Sequence, residues 1–192
     1  MTRLIIREEK MKIRLGHDEA ESFMAKAIAK SEKYSKLAPD GKSPYGFNHP
    51  HSHFVGMVAE YASWILFTEV EELTGQTLNI DPAFQDERRE GECDLYVGGK
   101  RIEVKGIKYG SWLQFGPCIS ARQLPKIEKK ADIVLWALYN EKVQEFTFEG
   151  FNLVSDIRGI TPIFTGAKGR QQIENYPVID IIKPMQELVF NG

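Results

Sequence analysis

The sequence is poor in cysteine and has no long hydrophobic run. Its 192 residues include two cysteines, Cys93 and Cys118, too few for a disulfide framework and too far apart for a CxxC motif. No apolar run approaches the roughly 20 residues that a membrane-spanning helix requires. The apolar patch at residues 4–6 is too short for a signal peptide. We therefore expect a cytoplasmic protein without a membrane partner.

Repeats, low-complexity segments and a recognisable linker are also missing. A chain of this length can bury one substantial core, and 42% hydrophobic and 27% charged residues are ordinary values for a globular protein. The sequence therefore predicts one domain over residues 1–192.

A large charge of one sign is absent too, but the charges are unevenly distributed. The formal net charge of -2 does not by itself indicate nucleic-acid binding. Residues 60–94 contain ten acids and two bases, whereas residues 100–130 contain eight bases and two acids. The basic segment is either a phosphate-binding surface or solvated surface charge.

Two long helices are predicted in the first half of the chain. Residues 18–37 begin with a capping-box pattern and continue with apolar residues at helical spacing. Residues 51–73 carry apolar side chains around most of the helix, and Gly75 ends the pattern. This second helix is expected to be buried, and Glu60 in its middle is costly there unless it is paired or binds a metal.

The other predicted elements are mostly strands. Strands or strand-like pieces are expected at residues 4–6, 11–15, 78–80, 93–105, 112–115 and 118–119. Residues 131–139 are apolar on both faces, which is typical of a central strand, and residues 143–148 alternate like its neighbour. Residues 120–130 are expected to be partly helical, with loops at 38–46 and 166–170. The pattern predicts an α/β (α+β) fold with a central mixed sheet flanked by helices.

Residues 94–105 predict a β-hairpin. Gly98-Gly99 closes a two-residue turn of primed type between two apolar runs. This turn sets the register and pairs Asp94 with Glu103, their Cβ atoms roughly 5 Å apart. Like charges at that distance need a compensating cation, and Lys105 lies on the same face as Glu103. Two carboxylates beside a lysine suit divalent-metal phosphodiester chemistry.

The order of these elements resembles the PD-(D/E)XK nuclease superfamily, which includes many restriction endonucleases. The residues that carry the resemblance are Glu60 on a helix, Asp94 on a strand, and Glu103-Val104-Lys105 on the next strand. The likeness covers roughly residues 50–140, the expected catalytic core, and departs from the usual pattern at Cys93, where many members have proline. It implies a restriction endonuclease-like fold, Mg²⁺-dependent hydrolysis of phosphodiester bonds in DNA, and, as in many members, a homodimer. The small chain without a motor or clamp domain favours an endonuclease.

The resemblance also implies a role for each residue. Asp94 and Glu103 would bind Mg²⁺, or Mn²⁺ in its place, with the Val104 carbonyl as a further ligand. Glu60 would complete the shell directly or through water. Lys105 would orient or deprotonate the attacking water and stabilise the charge that develops on the phosphate.

Five further residues are candidates for contacts with DNA, namely His53, Arg101, Lys108, Gln123 and Lys126. His53 lies two helical turns before Glu60, and Gln123 lies where some relatives place a polar site residue. The other three belong to the basic segment. The aromatic residues Trp112 and Phe115 beside that segment either stack on bases or pack in the core.

Three histidines offer a competing interpretation. His49, His51 and His53 alternate along the chain, and neutral imidazoles are common zinc ligands. An extended segment would turn all three to one side, but no fourth ligand lies nearby in the sequence. Ser52 as a helix N-cap would give this stretch a structural role instead. Two alternatives stay open: a His-rich metal-binding protein, and a nucleic-acid binding module that keeps the fold without catalysis.

Overall fold

The computed structural model describes residues 2–3, 12–36, 49–89, 91–165 and 173–190. The predicted strand at residues 4–6 and the predicted loops at 38–46 and 166–170 lie outside these ranges. The largest sheet has five strands, which in spatial order are β2 (Lys12–Arg14), β7 (Glu145–Leu153), β6 (Ile133–Asn140), β4 (Lys100–Lys108) and β3 (Leu95–Val97).

This sheet is mixed, because β4 and β6 run parallel while the other neighbouring strands are antiparallel. Residues 133–139 of β6 are buried without interruption, which confirms the predicted central strand. The neighbour predicted at 143–148 is β7, which pairs with β6 and continues to Leu153. The pairing shifts register beside Trp136, where a bulge bends the sheet.

Helices α1 (His17–Lys36) and α2 (Pro50–Thr74) cover one face of the sheet. The two helices are tied together by Tyr61, whose hydroxyl donates a 2.8 Å hydrogen bond to Glu19. Helix α2 packs very closely on β4 at Gly106, where a Cβ atom would lie 2.6 Å from the Val55 carbonyl oxygen. Glycine is required at this point because it lets the helix approach the strand that carries the candidate site.

The opposite face carries the short helices α3 (Tyr109–Phe115), α4 (Leu124–Lys130) and α5 (Val154–Ile157). A three-stranded antiparallel sheet of β5 (Cys118–Ser120), β9 (Ile173–Pro177) and β8 (Ile163–Thr165) extends this side. Asn152 joins the five-stranded sheet to the chain that follows β9: its side-chain oxygen accepts from the Trp136 indole at 2.6 Å, and its nitrogen donates to the Ile181 carbonyl at 2.7 Å. The fold is therefore a mixed sheet with helices on both faces, as predicted.

The hairpin of β3 and β4 closes as predicted. Gly98 and Gly99 both have positive φ angles, 53° and 74°, as a primed two-residue turn requires. A Cβ atom at Gly98 would also lie 2.5 Å from the Cβ of Phe190. Phe190 belongs to a two-stranded ladder of β1 (Thr2–Arg3) and β10 (Val189–Phe190).

Three local predictions are wrong. Helix α2 begins after His49, whose Nδ1 accepts the backbone N–H of His51, so Ser52 is not the N-cap. Residues 78–80 form no strand, because Asn79 has a φ of 49° and only Asp81 bridges to Tyr96. Residues 112–115 belong to helix α3, where Trp112 packs inward and the chain turns instead of extending.

None of the helices in the described ranges is both long enough and apolar enough to cross a membrane.

Candidate active site

Five ionisable side chains from four parts of the chain interact electrostatically at one edge of β4. They are Glu60 in the middle of α2, Asp94 directly before β3, Glu103 and Lys105 on β4, and Lys130 at the end of α4. Lys130 is the member that the sequence did not reveal. It ends a run of bases in which no spacing rule distinguishes one lysine from the next.

The hairpin register brings Asp94 to β4, but not in the way that simple pairing predicts. The ladder pairs Leu95 with Ile102 and ends there. The Asp94 N–H also donates to the Ile102 carbonyl at 2.9 Å, so two successive residues face one residue of β4, as in a bulge. The predicted direct pairing of Asp94 with Glu103 is replaced by a side-chain contact: Asp94 Oδ2 accepts the Val104 N–H at 2.7 Å.

Glu103 is a buried carboxylate, 5% exposed, held between two lysines. Lys105 Nζ donates to Oε1 at 2.7 Å, and Lys130 Nζ lies 2.5 Å from Oε2. Burial acts to raise the pKa of Glu103, but the two positive charges outweigh it and the pKa is lowered. The contact of Oε2 with Lys130 is that of an ion pair, and Oε2 has no hydrogen-bond partner with good geometry among the described residues.

The other two carboxylates have too little positive charge around them. Burial raises the pKa of Glu60 to about 8, and the charge of Asp94 adds to this effect. Burial and the charge of Glu103 raise the pKa of Asp94 to about 6, although the hydrogen bond from Val104 acts in the opposite direction. Lys30 of α1 lowers the pKa of Glu60, and Lys105 and Lys130 lower that of Asp94, but these charges do not offset burial, so the site favours an additional cation.

The backbone of Val104 provides a further oxygen at the same edge. The N–H and C=O of one strand residue point to the same side of the strand. Because the Val104 N–H is directed at Asp94, its carbonyl also points to the edge beyond the end of β3. The parallel neighbour β6 lies on the other edge of β4, where the Arg101 carbonyl accepts the N–H of Asp132.

These residues fit a hard divalent cation such as Mg²⁺. The carboxylates of Glu60 and Asp94 with their raised pKa values, the Glu103 oxygen without a hydrogen bond and the Val104 carbonyl form an all-oxygen donor set. Among the described residues, no group of three or more His, Cys, Asp or Glu side chains is arranged to hold a metal ion. Mg²⁺ does not require such a group, because it commonly binds through one or two carboxylates and keeps several waters.

The three histidines have separate structural contacts. His49 caps α2, the Nε2 of His51 lies 2.6 Å from Glu141, and the ring of His53 stacks on Tyr34 at 5.6 Å. The chain is helical from Pro50, so the histidines do not share one side as they would in an extended segment. This part of the structure gives no support to a zinc site.

The candidate DNA contacts are in different situations. Arg101 is engaged within the fold, since its guanidinium donates to both carboxylate oxygens of Asp132 and to the Lys129 carbonyl. Lys108 pairs with Glu141 at 2.8 Å. His53 is half-buried, and burial together with the charge of Lys30 lowers its pKa. Gln123 and Lys126 are exposed at the start of α4, on the side of the sheet that carries Glu103. The contacts of Arg101 within the fold therefore explain its position without any contact to DNA.

Comparison of the chain with protein-family models, with curated proteins and with solved structures gives no match in any of the three.

Proposed function

We propose that the protein is a Mg²⁺-dependent nuclease of the PD-(D/E)XK type that hydrolyses phosphodiester bonds in DNA. The observation that carries the proposal is the contact between Asp94 and the Val104 N–H, which joins Asp94 to the Glu103-Val104-Lys105 strand. The order of strands around this contact and the mixed sheet between helices are compatible with a restriction endonuclease-like fold.

Asp94, Glu103 and the Val104 carbonyl would hold the metal ion, with Glu60 acting directly or through a water. When bound, Mg²⁺ or Mn²⁺ supplies Lewis acidity, which lowers the pKa of water and offsets negative charge on the phosphate. The cation would also place positive charge beside Asp94 and Glu60, so Glu60, whose pKa is about 8 without it, would ionise at neutral pH. The ammonium groups of Lys105 and Lys130 would then be available to interact with the substrate.

The lysines have different parts in this account. Lys105 shares the strand with Glu103 and donates to Oε1, so it stays beside the reacting water and orients it. Lys130 comes from α4 and lies against Oε2. Its ammonium is directed to the same carboxylate from the side of the basic segment, and there it would bind a non-bridging phosphate oxygen.

A cleavage assay tests the proposal. Supercoiled, linear, single-stranded and branched DNA are incubated with the protein in Mg²⁺ or in EDTA. We expect cleavage in Mg²⁺ alone, and its loss in Asp94→Asn and Lys105→Ala. Glu69→Gln is the matched control, because Glu69 is an exposed carboxylate on the same helix as Glu60.

The alternative of a binding module without catalysis has a distinct signature in the same experiment. Such a protein retards DNA in a gel, cleaves none of the four substrates in Mg²⁺ or in EDTA, and binds DNA equally well in the wild type and in Asp94→Asn. That result would refute the nuclease. A homodimer, which would allow both strands to be cut, is tested by sedimentation of the same samples.

A further inference from the structure

The short helix α3 leaves most of its large apolar side chains in solvent. Tyr109 is 50% exposed, Leu113 68% and Phe115 59%. A helix on the surface of a folded domain normally turns such groups toward the core. Trp112 does so, with its ring 6.2 Å from that of Trp136 in an edge-on arrangement. Trp112 thus anchors α3 to the sheet, whereas packing in the core does not explain why the other three positions carry large apolar side chains.

Helix α3 begins directly after β4, the strand that carries Glu103 and Lys105. Tyr109 follows Lys105 by four residues, or about 13 Å of extended chain at ~3.3 Å per residue. At 3.6 residues per turn, Tyr109 and Phe115 project from flanks of the helix roughly 120° apart, with Trp112 between them. Two exposed aromatic rings therefore stand on either side of the anchor, close to the candidate active site.

The chain from the end of β4 to the end of α4, which includes α3, is rich in bases. Trp112 of α3 packs in the same apolar cluster as Leu124 and Ile127 of α4, so both helices cover one face of the sheet. Residues 105–130 contain six bases and one acid. Three of the bases form ion pairs, Lys105 and Lys130 with Glu103 and Lys108 with Glu141, and the other three, Arg122, Lys126 and Lys129, are exposed. The acid, Glu128, is paired with Arg158. Aromatic rings among surface cations match a ligand that has flat apolar groups on a polyanionic chain.

We propose that α3 binds the unpaired bases of a nucleic-acid strand whose phosphates follow the basic residues of α4. This inference rests on the proposed function and specifies its substrate class as single-stranded or locally unpaired DNA. Every base has a flat face that can stack on an aromatic ring, so the binding tolerates any sequence. Bases inside a duplex are already stacked on one another and gain little from these rings.

Binding measured in EDTA tests the proposal without cleavage. The probe is a fluorescein-labelled oligodeoxythymidylate about 12 nucleotides long, within the range bound by single-strand binding sites, with a blunt duplex of the same length for comparison. We expect Tyr109→Ala and Phe115→Ala each to weaken binding of the single strand by about 5- to 100-fold. Binding of the duplex should stay within about twofold of the wild type, since phosphate contacts are intact.

Two further variants distinguish stacking from general apolar contact. Phe115→Trp keeps an aromatic face and should bind the single strand like the wild type, whereas Phe115→Leu should bind it as weakly as Phe115→Ala. Leu73→Ala is the control for loss of an exposed apolar group, because Leu73 is 81% exposed near the far end of α2. Leu73→Ala should bind the single strand with the affinity of the wild type.

Single-strand affinity that is unchanged in both alanine variants would overturn the inference, as would wild-type affinity in Phe115→Leu. A change of oligomeric state in the alanine variants, with single-strand affinity unchanged, would overturn it in favour of a contact between copies of the chain. The nuclease proposal fails separately: binding that depends on Phe115 without any cleavage in Mg²⁺ refutes the nuclease and leaves α3 as a site for unpaired bases.

Discussion

The Asp94 carboxylate accepts a 2.7 Å hydrogen bond from the backbone N–H of Val104, the residue between Glu103 and Lys105. The bond holds a carboxylate at the edge of β4 where the Val104 carbonyl also points. A side-chain amide oxygen can accept the same bond. Asp94→Asn therefore removes the charge of Asp94 while it keeps the contact, which makes Asp94 the most informative position at which to vary the site.

Glu60 should make the metal-free protein less stable as pH rises. Its pKa is about 8 in the folded protein, against 4.5 for an unperturbed side chain, so the folded state holds a proton that the unfolded state has released. The contribution of protonated Glu60 to the free energy of unfolding is complete below about pH 4.5 and is lost as pH rises toward 8. In urea titrations in EDTA, the free energy of unfolding of Glu60→Gln should rise relative to that of the wild type by about 2–4 kcal/mol between about pH 5 and pH 8.5.

Glu69→Gln is the control for this comparison, because Glu69 is exposed on the same helix and should keep a constant difference from the wild type. Asp94, with a pKa raised to about 6, should act in the same direction as Glu60 over a lower pH range. A difference between Glu60→Gln and the wild type that does not change with pH would contradict the burial of a protonated Glu60.

Removing the charge of Lys130 should strengthen metal binding and slow cleavage. Lys130 lies 2.5 Å from Glu103 Oε2, so its ammonium competes with a divalent cation for that oxygen. Lys130→Met keeps an apolar stem of similar length and should bind Mn²⁺ about 10-fold more tightly in calorimetric titrations, since one repulsive charge is lost. Lys129→Met alters an exposed neighbour and should leave the affinity for Mn²⁺ unchanged. Equal Mn²⁺ affinity in the two variants would show that Lys130 does not compete at the site.

Gly106→Ala should destabilise the fold, whereas Gly56→Ala should not. A Cβ at Gly106 would lie 2.6 Å from the Val55 carbonyl oxygen and 2.7 Å from the Ala59 Cβ, but one at Gly56 meets nothing within 4 Å. We expect Gly106→Ala to lose about 1–3 kcal/mol of unfolding free energy in urea and Gly56→Ala, within α2, to gain about 0.5–1 kcal/mol. Similar stabilities for the two variants would argue against the close packing of α2 on β4.

Arg101 should contribute to stability and not to DNA binding. Its fork with Asp132 is about 40% exposed on both sides, so screening by solvent limits its value. Arg101→Ala should cost about 0.5–1 kcal/mol in urea unfolding and leave DNA affinity within about twofold. Arg122→Ala, in the exposed turn before α4, should leave the free energy of unfolding unchanged and weaken DNA binding. Weaker DNA binding in Arg101→Ala than in Arg122→Ala would restore Arg101 as a DNA contact.

Strong local signals in the sequence account for what could be predicted. The two glycines set the hairpin register, and the unbroken apolar stretch that became β6 identified the central strand. Helix α2 was predicted within one residue at each end, from residues 51–73 to Pro50–Thr74, because Gly75 provides a left-handed C-cap.

The parts that could not be predicted depend on contacts between distant residues. Trp112 reads as a strand residue in sequence, but its packing on Trp136 holds it in a helix. Lys130 reaches Glu103 only because α4 returns to the start of β4, and Arg101 meets Asp132 for the same reason. The bulge at Asp94 replaces a predicted cross-strand pair with a side-chain bond to the backbone, a difference of one residue that periodicity does not encode.

The most direct test of the central claim is the single-turnover rate of DNA cleavage in the wild type and in Asp94→Asn over a titration of Mg²⁺. We predict a wild-type rate that rises to a plateau with Mg²⁺ and is abolished by EDTA. Asp94→Asn, shown to be folded by a cooperative thermal melting transition, should be at least about 100-fold slower at every Mg²⁺ concentration, since it lacks a metal ligand. Cleavage by Asp94→Asn at the wild-type rate, or wild-type cleavage that persists in EDTA, would contradict the account.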